Sequence, residues 1–509
     1  GITVNDSISA AAINTGGELT TVTGRGGALE GFYTVPGSMD VGVLTVGVGD
    51  VNYDAGGDLS FGQINVPGTD IILTAPGSIF VGGTSGAENI DIDGGSISLG
   101  SIGAASDIIL TATSGIDFGT VSAGGILDML AGDISGGAAD GSDVFVSAFT
   151  NLDIDSLISG NELVVDAENI TLGGADGGTV DIFGTTVFIG GVSGGTIIVS
   201  GDVIEIDNAS GGDLDVIAQQ NLTVNSINIA GNATLNAIDQ AMIGDGNVDG
   251  NLFLTGAGVA LDSGNIGGDL TMNAGAGDID GNGIVDVGGT IDLDATGNIA
   301  FGSLSAGTSF DATAGGAITF TAATADSDLT LDAVAEISGG DVSSGAETSV
   351  VGSDLALDSL SGDEFARFRA SNGNITIGNV ESSSAAIFGA ASGTIAIESL
   401  SAANGIRLEG VDGIDVNSAA SSTGVFISTN GDVAIREDAS FSDSLTARGN
   451  SIFIRSNGSL NTIAQANVGD IDIVTAGNLS VDDANAVGNI RLISLGGSAR
   501  ICFQGKRRT

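Results

Sequence analysis

The chain has 509 residues, of which 86 are glycine and 3 are proline, and its formal net charge at pH 7 is -51. Arg25 is the single basic residue before Arg367. So long an acidic stretch excludes nucleic acid and anionic membrane surfaces as its partners, because both would repel it. The sequence has no histidine, which removes the commonest general base and zinc ligand, and its one cysteine, Cys502, can form no internal disulfide.

The N-terminal part of the chain, residues 1–80, repeats least regularly. All three prolines, Pro36, Pro67 and Pro76, lie here, and each is followed by glycine. Proline and glycine interrupt regular strands. We therefore predict less regular coils or a cap over residues 1–80, with ordinary coils joined by longer loops as the alternative.

From residue 81 to residue 500 the sequence repeats about every 19 to 20 residues. Residues 267–325 hold three units, GGDLTMNAGAGDIDGNGIVDV, GGTIDLDATGNIAFGSLSA and GTSFDATAGGAITFTAATA. Each unit contains three short apolar pieces, and alternation with period two places their side chains on one face of short strands. In the first unit the inward residues are expected to be Leu270 and Met272, Ile279, then Ile284 and Val287. Glycines between the pieces permit tight turns.

Three short strands per unit, with no room for a crossover helix, predict an all-β parallel β-helix, or solenoid, in which each coil lies on the next. Dividing the chain by the period gives about 26 coils at most, and a spacing of about 4.8 Å per coil gives a rod on the order of 125 Å long. A single coil buries too little apolar surface to offset its ordering entropy, so stacking is expected to stabilise the fold.

Stacking raises a charge problem. Carboxylates at equivalent positions of adjacent coils would lie about 5 Å apart, within the screening length of about 8 Å at physiological salt. Each such pair costs on the order of 1 kcal/mol even in water. Divalent cations, high external salt or staggered turn positions for the acids could each offset this cost, and the sequence leaves all three open.

The coil pattern resembles a known family. The segments GGTIDLDATGNIAFGSLSA and SNGNITIGNVESSSAAIFGAASGTIAIESLSA are similar to the repeats of filamentous haemagglutinin-like proteins, and the resemblance covers about 80 percent of the chain. That resemblance implies a right-handed parallel β-helix and a secreted bacterial adhesin or extracellular fibre at the cell surface. It also implies a host or neighbouring-cell receptor as a partner.

Two motifs are candidate calcium sites. Asp245, Asn247 and Asp249 precede a glycine, and Asp278, Asp280 and Asn282 precede another, as in the first half of a calcium loop. In both, the twelfth position is glycine instead of a bidentate acid. Since aspartate and asparagine also favour turns, ordinary turn residues are the alternative. Calcium is the one cofactor that the sequence suggests.

Paired acids could also serve a polysaccharide-degrading enzyme. Asp91 with Asp93, and Asp292 with Asp294, are candidate acid and base pairs. However, acids that flank a buried leucine in an alternating strand point outward by default, and basic residues that could grip an anionic substrate are nearly absent before residue 367. We therefore expect no enzyme.

The C-terminal segment 501–509 is basic. Lys506, Arg507 and Arg508 reverse the charge of the chain there, and we expect them to dock on the acidic body of a neighbouring copy. A β-helix exposes unpaired backbone groups on its terminal coils, and a head-to-tail contact that covers them does not close. The sequence thus predicts self-association into filaments, without membrane insertion.

These inferences favour a non-enzymatic extracellular structural protein, either an adhesin shaft or a filament subunit. A calcium-binding surface-layer or matrix protein and a β-helix polysaccharide-degrading enzyme are the alternatives.

Overall fold

A computed structural model describes residues 37–46 and 50–501 of the chain, and before them only the backbone of short strands. The chain divides into two compact units, Gly1–Val248 and Asp249–Thr509. The strands of the first unit are β1 Ile2–Val4, β2 Ile8–Ala10, β3 Ile13–Asn14, β4 Val22–Gly24, β5 Phe32–Val35, β6 Met39–Thr45, β7 Val51–Ala55, β8 Leu59–Ala104, β9 Ile108–Ala123, β10 Ile126–Ala131, β11 Asp133–Gly141, β12 Asp143–Ser159, β13 Glu162–Gly201, β14 Val203–Ala218, β15 Asn221–Ile229, β16 Ala233–Ala237 and β17 Gln240–Val248.

The strands of the second unit are β18 Leu252–Gly256, β19 Gly258–Ile266, β20 Leu270–Ala274, β21 Ile279–Asp280, β22 Ile284–Val287, β23 Ile291–Ala295, β24 Ile299–Ala306, β25 Phe310–Ala314, β26 Ile318–Ala325, β27 Leu329–Ala333, β28 Ile337–Ser344, β29 Glu347–Gly352, β30 Leu355–Gly362, β31 Phe365–Ala370, β32 Ile375–Ser382, β33 Ala386–Ala391, β34 Thr394–Ala402, β35 Gly405–Gly410, β36 Gly413–Ser428, β37 Val433–Gly449, β38 Ile452–Ser456, β39 Leu460–Ala466, β40 Ile471–Thr475, β41 Leu479–Ala486, β42 Ile490–Ser494 and β43 Ala499–Ile501.

The described residues form strands and no helix, and consecutive coils pair in parallel. Together the two units contain about 24 turns of a β-solenoid, with about 19 residues per turn. This confirms the all-β, parallel β-helix prediction and its period. None of the described residues forms a helix that is long and apolar enough to span a membrane.

Two ladders of strands organise most of the second unit. Strands β20, β23, β25, β27, β29, β31, β33 and β35 pair in that order and form sheet A. Strands β24, β26, β28, β30, β32 and β34 form sheet B in the same way. In sheet A, Ile291 pairs with Phe310 and Phe310 pairs with Leu329, and each step along the chain equals one coil. Equivalent residues therefore lie directly over one another.

Strands of the first unit pair in the same parallel way, one coil on the next. Val144 of β12 pairs with Leu163 of β13, and Leu222 of β15 pairs with Ala241 of β17. Parallel pairing already occurs between β6 and β8, where Met39 lies beside Leu59. Coil pairing is thus present within residues 1–80, the region for which the sequence predicted less regularity.

Aliphatic columns fill the interior, as the alternation predicted. Leu270, Met272 and Ile279 are all fully buried. The prediction for Ile284 was wrong, because this side chain is 63% exposed while Val285 beside it is 0% exposed. Residues three apart in a strand point to opposite faces, so Ile284 cannot share the inward face of Val287.

A polar ladder runs along the corners of the coils. The side-chain oxygen of one corner residue accepts a hydrogen bond from the backbone N–H of the equivalent residue in the next coil. Asn251 Oδ1 accepts from Asp269 N at 2.8 Å, and Asp269 Oδ1 accepts from Thr290 N at 2.8 Å. This bond satisfies an amide that the bend would leave without a strand partner. The same bond is accepted by Asp58, Asp107, Asp213, Asp278, Asn298, Asp328, Asp354, Asn374, Asp432, Asp438, Asp470 and Asn478.

The polar ladder explains why glycine precedes most of these corner residues, although serine precedes Asp107, Asp328 and Asp354. A Cβ at Gly297 would collide with Asp278 Oδ1 and would lie 2.6 Å from the carbonyl oxygen of Gly277. Gly316 meets Asn298 Oδ1 in the same way, and neither glycine has a positive φ. Close approach of successive coils, rather than the turn conformation expected from the sequence, therefore selects glycine at these corners.

The strand registers also separate the acids. Asp117 lies beside Ser135, which lies beside Asp153 in the following coil. Ser135 Oγ donates a hydrogen bond to Asp117 Oδ1 at 3.2 Å. Asp292 beside Asp311 is an exception. Interleaving acids with neutral donors doubles the distance, counted in coils, between charges. This reduces the repulsion between stacked carboxylates without cations, high salt or staggered turn positions, the three possibilities that the sequence left open.

Candidate functional site

The first calcium motif lies on an outward-facing strand. Asp245 and Asn247 belong to β17, pair with Ser226 and Asn228, and alternate with buried neighbours. Asp249 follows the end of this strand and is exposed. In an extended strand, residues two apart are separated by about 7 Å, whereas a calcium loop folds its ligands around one ion. Calcium binding by this motif stays a prediction.

The second motif divides between a corner and a strand. Asp278 is a corner acceptor for the N–H of Asn298, Asp280 ends β21, and Asn282 is exposed beyond it. Burial raises the pKa of Asp280, and the nearby Asp278 carboxylate raises it further. Ladder bonding thus gives Asp278 a structural role that needs no ion.

The predicted assembly residues at the C-terminus lie outside the described part of the chain. These are Lys506, Arg507 and Arg508, and Cys502 also lies outside it. Within the described part of the chain, no group of three or more His, Cys, Asp or Glu residues gathers closely enough to hold a metal ion.

The candidate catalytic pairs point outward from their strands. Asp292 and Asp294 are exposed on both sides of Leu293, which is 1% exposed, as the alternation predicted. Asp91 and Asp93 are likewise exposed. Burial raises the pKa of Asp91, and the Asp93 carboxylate adds to the shift. Each pair lies on an open strand surface.

Sheet A brings together charged residues that are far apart in sequence. One outward column runs through successive strands from Asp292 to Arg407, and the column beside it runs from Asp294 to Glu409. The first column is Asp292, Asp311, Thr330, Ser349, Arg367, Phe388 and Arg407, and the second is Asp294, Thr313, Asp332, Val351, Arg369, Ala390 and Glu409. We call this surface the sheet A face.

The acidic half of the sheet A face is formed by Asp292, Asp294, Asp311 and Asp332, all exposed. Asp292 lies directly beside Asp311. Partial burial raises the pKa of Asp311, and the carboxylates of Asp292 and Asp332 raise it further. Negative charge is therefore concentrated in the acidic half, and within the two described columns no basic residue lies directly beside these four carboxylates.

The raised pKa of Asp311 predicts the direction in which its substitution changes the free energy of unfolding at different pH values. A carboxyl whose pKa is raised by folding contributes stability only below its unfolded pKa, and loses that contribution as pH rises through its folded pKa. Asp311→Asn should therefore increase the free energy of unfolding at pH 7, by less than about 1 kcal/mol, and the difference should shrink below the ordinary aspartate pKa of 3.8. Denaturant unfolding at pH 3 and pH 7 measures this.

Asp294→Asn is the matched control, because Asp294 lies between the neutral residues Asn273 and Thr313. We expect little change at either pH. A loss of stability at pH 7 in Asp311→Asn would contradict the assignment of Asp311 as a destabilised charge.

The arginine half of the sheet A face combines cations with an exposed aromatic ring. The Arg367 guanidinium carbon lies 5.9 Å from the ring centroids of both Phe365 and Phe388. Phe388 is 40% exposed, and its ring centroid is 6.4 Å from that of Phe365. These cation–π contacts attract the Arg367 guanidinium to both rings while its charge stays at the surface.

Two of the three arginines in this half are already paired. Arg367 Nε lies 3.2 Å from Glu347 Oε1, and Arg407 pairs with Glu409. Arg369 has no ion-pair partner among the described residues. Three guanidinium groups face two carboxylates, so this half is positive although the chain as a whole is strongly negative.

Open depressions lie over the arginine half. One has a volume of about 350 Å³ and is lined by Arg367, Arg369, Phe388 and Arg407 among others. A second of about 350 Å³ continues from Arg369 towards Thr429. Guanidinium groups stay protonated and donate in a planar fork, so they recognise carboxylates but do not transfer protons. The arrangement is therefore suited to recognition of anionic groups.

The sheet A face was not among the sites predicted from the sequence, although part of the signal was present. FARFRA places Arg367 and Arg369 two apart, hence on one face. The strand register places Phe388 and Arg407 above Arg367. The step from Arg367 to Phe388 is longer than the repeat, so a fixed period would have missed this contact.

Comparison of the chain with protein-family models, curated proteins and solved structures finds no match.

Proposed function

We propose that this chain is a non-enzymatic extracellular structural protein of the bacterial cell surface, acting as an adhesin shaft or as the subunit of a head-to-tail filament. The uniformity of the coils carries the proposal. Inward positions form aliphatic columns, corners form polar ladders, and outward positions interleave acids with serine, threonine and asparagine. Such residues favour a stiff, soluble stack whose backbone is shielded from proteases.

The last described coil supports assembly through the ends. Ile490 is 37% exposed although it lies on Ile471, which is 0% exposed. Ile501 is also 37% exposed and lies on Val481, which is 0% exposed. Within the described residues these apolar side chains are covered on one side only, and a further coil, whether from a longer chain or from a second copy, would bury the other side.

Electron microscopy of the purified chain, together with light scattering at high concentration, tests the filament. We expect elongated particles that join end to end. Lys506→Glu/Arg507→Glu/Arg508→Glu should shorten them, because the triple variant removes the cations predicted to contact the next copy. A chain that stays monomeric at high concentration, with calcium present, contradicts the filament.

Two further measurements separate the structural role from its rivals. Calorimetric melting with and without chelator should give the same transition, whereas a calcium-dependent matrix protein should lose stability without the ion. Incubation with acidic and neutral glycans should release no reducing ends. Release that disappears in Asp292→Asn/Asp294→Asn would identify an enzyme.

A further inference from the structure

The sheet A face is self-complementary. Its acidic half lies on strands β23 to β27 and its arginine half on strands β31 to β35, in the same two columns. Between them lie the small or neutral residues Thr330, Ser349 and Val351. A two-fold rotation about an axis that crosses the face near Ser349 exchanges the two halves.

We propose that two copies of this chain pair side by side through the sheet A face, antiparallel, with the acidic half of each copy against the arginine half of the other. This inference rests on the proposed structural role and adds a lateral contact to it. A two-fold contact of this kind uses the same surface on both copies and forms both charge contacts at once.

Local charges explain why the partner is a second copy. At physiological salt the screening length is about 8 Å, so groups on the two facing surfaces interact while the remaining negative charge is largely screened. The four carboxylates Asp292, Asp294, Asp311 and Asp332 form an anionic surface with the same coil spacing as the arginines. In this arrangement Asp292 lies opposite Arg407 and Asp332 opposite Arg369, and planar guanidinium groups can pair with such carboxylates, while Asp294 lies opposite Glu409, which already pairs with Arg407.

Apolar contact adds to the charge contact. Phe388 projects from the arginine half with 40% of its surface exposed. Against the facing copy, the ring on β33 would lie opposite β25, over Asp311 and the short side chain of Thr313. Burial of this ring gives the contact a component that salt does not screen.

The size of the face sets the expected strength. Seven strands at about 4.8 Å, each about 17 Å wide, give on the order of 500 Å² per copy. Twice that area, counted over both copies, lies at the low end of specific interfaces, so pairing should be reversible. Association should be strongest near physiological salt. At about 0.01 M the screening length of about 30 Å restores general repulsion, and at about 1 M the length of about 3 Å weakens the contact itself.

Charge reversal with complementation tests the proposal. Arg367→Glu/Arg369→Glu makes both halves acidic, and Asp292→Arg/Asp294→Arg/Asp311→Arg/Asp332→Arg makes both halves basic. Each variant alone should weaken association at least tenfold in sedimentation velocity experiments on the full chain. An equimolar mixture should restore it to within about threefold of wild type, because each contact then joins opposite charges.

Arg436→Glu/Arg491→Glu is the matched control, since it makes the same change in net charge but lies away from sheet A. Arg436 pairs with Asp415 and Arg491 with Asp472. This variant should associate like wild type. Equal unfolding midpoints establish that all variants are folded, and the neutral Arg367→Gln/Arg369→Gln should show an intermediate loss.

Three results would overturn the inference. A wild-type chain without any lateral association near physiological salt removes the contact. Association unchanged by either reversal assigns it to another surface, and a mixture that fails to associate excludes the antiparallel pairing. End-to-end filaments that persist in all variants leave the proposed structural role intact while the lateral contact fails.

Discussion

Phe426→Ala should destabilise the second unit by about 3–5 kcal/mol, the cost of removing a large buried aromatic side chain. Phe426 is 0% exposed, and its ring meets that of Phe441 edge-on with centroids 6.0 Å apart. It lies beside Leu408 in the preceding coil and Ala447 in the following one. Since alanine leaves a cavity between three coils, stacking is lost on both sides of the substitution.

Guanidinium unfolding measures the loss, and amide hydrogen exchange locates it. In a repeat protein each coil is stabilised by its neighbours, so we expect faster exchange in β35 to β37 before it appears elsewhere. Phe253→Ala is the control, because Phe253 is 39% exposed on β18. Its cost should stay below about 1 kcal/mol. Equal costs for the two substitutions would contradict the stacked core.

Gly297→Ala should destabilise by about 1–3 kcal/mol, the usual cost of overpacking. The new Cβ would displace Asp278 Oδ1, which accepts a hydrogen bond from Asn298 N, and would press on the carbonyl oxygen of Gly277 at 2.6 Å. The preceding coil, which contains Gly277 and Asp278, would have to move away, which weakens the strand ladder as well as the corner bond.

Gly458→Ala provides a closely matched control. Gly458 precedes Ser459, a corner residue that accepts a hydrogen bond from Asn478 N at 3.0 Å, so its place in the coil matches that of Gly297. A Cβ there meets nothing within 4 Å. Removing a glycine without a clash stabilises by about 0.4–1 kcal/mol through the unfolded chain. Thermal melting of both variants distinguishes contact from turn conformation, because a common loss would indicate that the turn itself requires glycine.

Alternation of apolar and polar residues identifies the buried side chains of some strands but not of others. Where apolar and polar residues alternate strictly, as in IDLDA at residues 291–295, the sequence identifies both the buried and the exposed residues. In GVFIS at residues 424–428, Val425, Phe426 and Ile427 are all apolar, so the pattern does not say which face is inward. The ladder decides, because Phe426 lies beside the buried Leu408.

On the sheet A face, too, the sequence predicts some features and the register between coils decides the others. The sequence places Arg367 and Arg369 on one face and predicts outward acids at Asp292 and Asp294. It does not predict that the acids and the arginines occupy the same two columns, because coils differ in length and each difference changes which side chain lies above which. Val350 pairs with Phe368 and Phe368 pairs with Gly389, so the second of these steps is longer than the first. Insertions at corners are invisible to a fixed period.

The sequence by itself determined the fold class, the coil length and most of the buried columns, since these follow from local alternation and from the absence of helix patterns. Only the tertiary structure decided the register between coils, the corner ladders that select glycine, and the meeting of acids, arginines and Phe388 on the sheet A face. The physical reason is that alternation is set within one strand, whereas register depends on hydrogen bonds and steric fit between residues about 19 positions apart.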